Sequence, residues 1–300
     1  MWGVDYVASF RRDVTALEEC VRAGAGRDVP LVPACPGWSV ADLVLHLGTT
    51  HRQVIHIAGA EGGERPGALG DPALLKLPGD RRGWPEPGRG PSRGALPRGL
   101  LDWFRDGADR LEKIFTARDP AEPVWSWAAE RSEPVAFGGR SVGFWLRLQA
   151  IEAAVHRWDA ESAFGTPAPV DTWLAADAVS HAVEVMAPAR RAWGQVPQGR
   201  GERLRLKQTD GFRTWIVQVG PGDEVLLNQG SGCCVTELAG TVSDLMLHLW
   251  QRVPRERLGV RGDASVLDRY FPFPAPWAAA EAAGAAGAAG AAGACPAPGG

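Results

Sequence analysis

Cysteine is scarce and poorly placed for cross-linking: there are five among 300 residues, an odd number, and no two stand at CxxC spacing. Neither a disulfide framework nor a cysteine-rich zinc site follows from that pattern. Adjacent Cys233 and Cys234 read as opposite faces of a strand rather than as a strained vicinal disulfide. Long apolar runs are also missing. The longest weakly apolar stretch, residues 278–294, is alanine and glycine broken by Glu281, too poor in large side chains to prefer lipid. The opening MWGVDYVASFRRDV sets an acid and two arginines among its apolar residues, which gives no secretory signal, so a soluble cytoplasmic protein is expected. Charge of one sign is missing as well, the formal net charge being −3. The densest basic cluster, Arg81, Arg82, Arg89 and Arg93, falls in a Pro/Gly-rich segment with no aromatic platform. It reads as solvated loop, and nucleic acid is not an expected partner.

What the chain does have is length for one large domain or two ordinary ones, and clear helical periodicity. Val7, Phe10, Val14, Leu17 and Val21 form one stripe that ends at Gly24 and Gly26. A second helix follows CPGW, capped by Ser39 with Asp42 three residues on, and runs to about Ile57. Residues 61–98 are dense in Gly, Pro and Arg and read as a long, partly disordered insertion. A third helix is predicted from Leu100 to about Thr116 and a fourth from Val142 to Phe164. Trp145, Gln149, Glu152, His156 and Asp159 recur along one side of the fourth, which predicts a wet polar seam inside a bundle.

Past residue 166 the pattern changes. A helix from Asp171 to about Met186 precedes strand-like segments at 203–208, 212–219, 224–228 and 233–238, with Asp210-Gly211 as a hairpin signal. Thr241 to Arg252 reads as an amphipathic helix with Asp244 at the capping-box position. The expected organisation is an antiparallel four-helix bundle over 1–166, a small α+β domain over 167–275 and a disordered Ala/Gly tail over 276–300.

Two pairs of metal-capable residues stand at helical i,i+4 spacing: Asp42 with His46, and Glu152 with His156. Such pairs project from one helix face, so Glu152 and His156 can grip one ion without an ordered loop. If His46 faces them, three ligands converge and a fourth position stays open for water, thiol or substrate, as a catalytic site requires. The plainer reading of ExxxH is an ion pair on a solvated face, and that of Asp42 is a helix cap. His51, His56, His181 and His248 stand alone and read as surface or satisfied interior histidines.

The segments VPACPGWSVADLVLHL, EAAVHRWDAESAFGTPAPVD and ELAGTVSDLMLHLWQRV occur in this order and together resemble the mycothiol-dependent maleylpyruvate isomerase family of actinobacterial proteins. The resemblance implies a DinB-like four-helix bundle carrying a divalent metal, usually zinc, on one histidine of the second helix and the Glu and His of the fourth. His46, Glu152 and His156 match those ligands, and Arg252 matches an arginine implicated in activity. The family often has a histidine immediately before the glutamate; here that position is Ile151. The implied activity is that of a metal-dependent mycothiol S-transferase or isomerase acting on a small electrophile. Trp145 and Trp158 are candidate pocket walls, with core packing as the plainer alternative. The competing functional class is a small-molecule binding or self-resistance protein with a non-catalytic metal site.

Overall fold

The computed structural model describes residues 4–24, 26–59, 69, 71–86, 89–130, 140–192, 197–221, 224–228 and 233–271. These fall into two compact units that meet in sequence between Ala168 and Pro169. The expected Ala/Gly tail and residues 61–68 lie outside the described residues.

The first unit is a four-helix bundle of α1 (Tyr6–Ala23), α2 (Val40–Gly59), α3 (Leu100–Ala117) and α4 (Val142–Phe164). Asp5 caps α1 by accepting from the Ala8 amide at 2.9 Å, and the predicted stripe of Phe10, Val14, Leu17 and Val21 is buried. Ser39 and Asp42 close a reciprocal box at the start of α2: the Ser39 amide donates to Asp42 Oδ2 at 2.8 Å and the Asp42 amide to Ser39 Oγ at 3.4 Å. Helix α1 packs on α4 and α3, and α2 on α3 and α4. Gly48 sits where a Cβ would overlap the Trp103 ring, so α2 and α3 approach closely only because that position has no side chain. Arg52, buried between them, stacks its guanidinium 3.9 Å from the Trp103 ring centre.

Helix α4 is buried on nearly every side from Val142 to Ala160. The seam predicted to be wet is dry: Gln149, Glu152, His156 and Asp159 are at most 1% exposed. Alanines at 150, 153, 154 and 160 let the neighbouring helices close around this one, leaving no solvated face. The insertion between α2 and α3 also departs from expectation. Residues 71–86 and 89–98 are held rather than loose. Trp103 Nε1 donates to the Leu75 carbonyl at 3.0 Å, buried Trp84 donates to the Arg98 carbonyl at 3.0 Å, and the Ser92 amide donates to Asp42 Oδ2 at 2.9 Å. Asp42 therefore caps its own helix and also pins the returning insertion.

In the second unit α5 (Thr172–His181), capped by Asp171, continues through a wide π-helical turn, Ala182–Met186, into α6 (Ala187–Ala192). Pro188 lacks the N–H that an α-helix would use, and the widened turn just before it absorbs that break. A five-stranded sheet follows in the order β3-β2-β1-β4-β5, with β1 Glu202–Gln208, β2 Thr214–Val219, β3 Val225–Leu227, β4 Thr236–Gly240 and β5 Gly259–Gly262. Strands β1 and β4 are parallel and the other pairs antiparallel, with Leu206 opposite both Trp215 and Leu238. Leu204, Leu206 and Gln208 face inward while Arg205 and Lys207 face water, the alternation that predicted the strand. The hairpin at Asp210-Gly211 is a longer loop in which Asp210 Oδ1 accepts from the Val242 amide of α7 (Val242–Leu249). Cys233 and Cys234 precede β4 instead of lying in it, and both are free thiols. Strand β5 and a last short helix, α8 (Ala264–Tyr270), had no periodic signal.

Candidate metal centre

Helices α2 and α4 bring His46, Glu152 and His156 together: one ligand-type atom from each lies within 4.8 Å of the others. The imidazoles of His46 and His156 are 5.2 Å apart between ring centres and nearly edge-on. Glu152 Oε2 is 3.4 Å from His156 Nε2, too long and unpaired to satisfy either, and both Glu152 oxygens and His156 Nε2 are buried without a hydrogen-bond partner. Buried polar atoms are costly to orphan. Two imidazoles and a carboxylate converging in this way form the donor set of a divalent cation site.

The other ring nitrogen of His156 is engaged. Nδ1 lies 2.8 Å from Asp159 Oδ2, one turn along α4, which fixes the ring and leaves Nε2 directed toward Glu152. Burial disfavours the charged imidazole, but the Asp159 and Glu152 carboxylates beside it outweigh that, and the His156 pKa is raised above its ordinary value. Cys35 Sγ lies 3.7 Å from the same Asp159 oxygen. Trp38 covers His46, their ring centres 4.9 Å apart. It stands just before α2, and no sequence signal distinguished it.

Trp145 proves to be core: it is 1% exposed, donates to the Trp125 carbonyl at 2.8 Å and packs edge-on against Phe144. Trp158 is half-buried, and Ile151 is wholly buried. Arg252 belongs to the second unit and lies beyond α7 rather than in its last turn. Gln251 adopts a left-handed conformation with φ 62°, and the Arg252 amide reaches back to the Leu247 carbonyl at 2.7 Å, closing a Schellman turn on a residue other than glycine. The Arg252 side chain is buried and its Nη1 donates to the Trp250 carbonyl at 2.8 Å.

His51 contradicts the expectation of a satisfied interior histidine. It is wholly buried between Phe10 and Phe104, and neither ring nitrogen has a hydrogen-bond partner. Burial, then the charges of Arg52 and His156, lowers its pKa to about 3. A depressed base takes up its proton only on unfolding. The stability at stake is therefore fully present above about pH 6.5 and drains away as the pH falls from there toward 3. Between pH 7 and pH 5 the stability gap between His51→Leu and wild type should shift by about 2 kcal/mol in favour of the variant. Denaturant titrations at the two pH values measure it, and a constant gap would mean that His51 finds a proton-accepting partner in the folded state.

The family profile described as the mycothiol maleylpyruvate isomerase N-terminal domain matches residues 10–161, a little over half the chain and the whole of the bundle's site. The chain belongs to this family. Two solved structures extend the likeness of this mycothiol maleylpyruvate isomerase family member past the bundle. The crystal structure of the mycothiol-dependent maleylpyruvate isomerase superposes with a TM-score of 0.53 at 12% identity, and that of a histidine-to-alanine mutant with 0.54 at 11%. Each comparison covers 87% of this chain and 93% of the other. At such identities the likeness is one of fold, a DinB-like helical domain followed by an α+β region. No curated protein matches the chain. Membership places the family member among isomerase-like enzymes, and no helix of its described residues is long and apolar enough to cross a membrane.

Proposed function

We propose that this chain is a cytoplasmic, metal-dependent enzyme that uses mycothiol to transfer to, or isomerise, a small electrophile, with zinc held by His46, Glu152 and His156. The observation that carries the reading is the convergence of those three side chains from α2 and α4, with the orphaned oxygens of Glu152 and the orphaned Nε2 of His156. When bound, the cation supplies the Lewis acidity that keeps a coordinated thiol ionised at neutral pH. The residues do the rest. Asp159 holds the His156 ring so that Nε2 is the ligating atom, Trp38 shields His46 from water, and buried α4 fixes Glu152 and His156 on one rigid element.

In isomerisation the thiolate adds to an activated cis double bond, the new single bond rotates, and loss of the thiol returns the trans alkene. In transfer the thiolate displaces a leaving group or adds once, and the conjugate departs. We favour transfer: the Ser92 amide anchors the insertion to Asp42, one turn before His46, which gives this chain a surface that a small diacid does not require. Through the family resemblance, Arg252 is the candidate for an arginine on which activity depends. Incubation with mycothiol and a candidate electrophile, followed by mass spectrometry, separates the outcomes: a mass gain equal to the thiol, less any leaving group expelled with its proton, marks transfer, and an unchanged mass with a new isomer marks isomerisation. Stoichiometric ligand binding that survives chelation and consumes no thiol would overturn the enzymatic reading.

A milder test concerns Asp159. Asp159→Asn leaves the ligands in place but loosens the His156 ring and its tautomer, so metal affinity should fall about 10- to 100-fold, read by competition with a chromophoric chelator. An unchanged affinity would show that the ring is held by packing alone.

A further inference from the structure

Arg52 stands six residues after His46 on α2, roughly 9 Å along the axis and two-thirds of a turn round it, so it meets α3 and the insertion rather than the metal ligands. Its side chain is 3% exposed. Nη1 donates to the Gly48 carbonyl at 3.1 Å, and Nη2 donates to the Trp103 carbonyl at 2.8 Å and to Asp106 Oδ2 at 3.1 Å. The Nε–H is buried with no acceptor, a costly omission for a cationic group. Burial lowers the Arg52 pKa to about 10, which leaves it charged at neutral pH. This arginine forms part of the wall of a cavity of about 310 Å³ between α2, α3 and the short turn Pro72–Leu75. Arg110, Lys76 and the His56 imidazole line it too, with apolar Ile55 and Leu74 beside them. Among the described residues no carboxylate lines it. Asp106 reaches two of its cations from outside, at 3.1 Å from Arg52 and 3.8 Å from Arg110, and is itself more than half exposed. Lys76 ends the turn in left-handed backbone with φ 46° and makes no ion pair among the described residues. Three permanent cations therefore border this space against one shared, solvated carboxylate.

We infer that this cavity is a second ligand site, built for a small organic oxyanion: a carboxylate or phosphate head held by Arg52, Lys76 and Arg110, and a short apolar body against Ile55 and Leu74. Such a head brings the negative charge and the acceptor atoms that the arginine and the unpaired lysine lack. A volume of about 310 Å³ lies at the small end of ligand sites, with room for the head and a few carbons. The neighbouring depression of about 570 Å³ shares Arg52 and Lys76 but balances its cations with Asp80, Asp102 and Asp106, so it does not select an anion. None of the three metal ligands lines the proposed site. It needs neither zinc nor thiol and stands whether or not the function proposed above does.

The experiment titrates the full chain calorimetrically, at low ionic strength, with butyl phosphate and separately with hexanoate. Wild type is compared with Lys76→Asn, Arg110→Gln, Asp106→Asn and His46→Ala. Positions 76, 106 and 110 are exposed or half-buried, and asparagine accepts left-handed backbone, so these three variants should keep the wild-type melting curve. At least one probe should bind with one equivalent per chain that persists in His46→Ala. Its affinity should fall about tenfold in Lys76→Asn and in Arg110→Gln and should rise in Asp106→Asn. Opposite signs from neutral replacements of opposite charges separate capture of an anion from damage to packing. The tighter of the two probes tells a phosphate ligand from a carboxylate. Failure of both probes to bind wild type overturns the site, as does an affinity that none of the three charge variants moves. Binding that vanishes in His46→Ala overturns it too, because the anion would then sit on the metal.

Discussion

Alanine at His46, Glu152 or His156 is expected to strip the protein of its divalent ion and to lower turnover by about 10³-fold or more, since several kcal/mol of charge stabilisation leave with the cation. The three positions should not behave identically in the folded protein. Glu152 and His156 are at most 1% exposed on α4, and each faces the other, so removing one leaves a buried polar partner behind. His46 is only partly buried and stands on a separate helix, under Trp38. His46→Ala is therefore the cleanest variant: metal content by elemental analysis and turnover should fall together while the melting curve of the metal-free protein is nearly unchanged. A metal-free His46→Ala protein with full turnover would refute the catalytic assignment.

The second large effect is structural. Arg157 of α4 donates from Nε to Asp13 Oδ1 of α1 at 2.9 Å and from Nη1 to Glu161 Oε2 at 2.5 Å and the Ala168 carbonyl at 3.0 Å. Asp13 and Arg157 are both buried, so Asp13→Ala removes one of the carboxylates that compensate the Arg157 guanidinium, leaves its Nε–H without that acceptor inside the bundle, and should cost about 1 to 3 kcal/mol in denaturant unfolding. The contrast that identifies the cause is the double variant Asp13→Leu/Arg157→Met, which removes both charges and fills the space. It should recover most of that loss, because an apolar pair needs no desolvation. A double variant as unstable as the single one would point to packing rather than a lost charge partner.

How far these features can be read from the chain depends on whether the signal is local. The bundle helices follow from stripes and caps that act within a few residues, such as Phe10 to Val21 on α1 and the Ser39–Asp42 box on α2. Glu152 and His156 are legible for the same reason, being neighbours on one helix. That His46 joins them is a fact of helix packing, which spacing allowed but did not dictate. Where contacts across the chain decide, the reading failed. The insertion is composed like a solvated loop, yet Trp84, Ser92 and Leu75 find partners on α2, α3 and the preceding turn. His51 lacks any sequence mark separating it from a surface histidine, because its burial comes from Phe10 and Phe104 on two other helices. Strand β5 is a Gly-Val-Arg-Gly segment with too few side chains to alternate, and it forms by pairing with β4. The end of α7 was placed too late since Gln251 adopts a conformation usually left to glycine.

X-ray absorption at the zinc edge, recorded on loaded protein before and after adding the thiol cosubstrate, tests the centre most directly. The expected result is one zinc per chain with nitrogen and oxygen neighbours at about 2.0 to 2.2 Å, and a single sulfur at about 2.3 Å that appears only with the thiol. A zinc that gains no sulfur neighbour at saturating thiol, or a His46→Ala protein with the same spectrum as wild type, would contradict it.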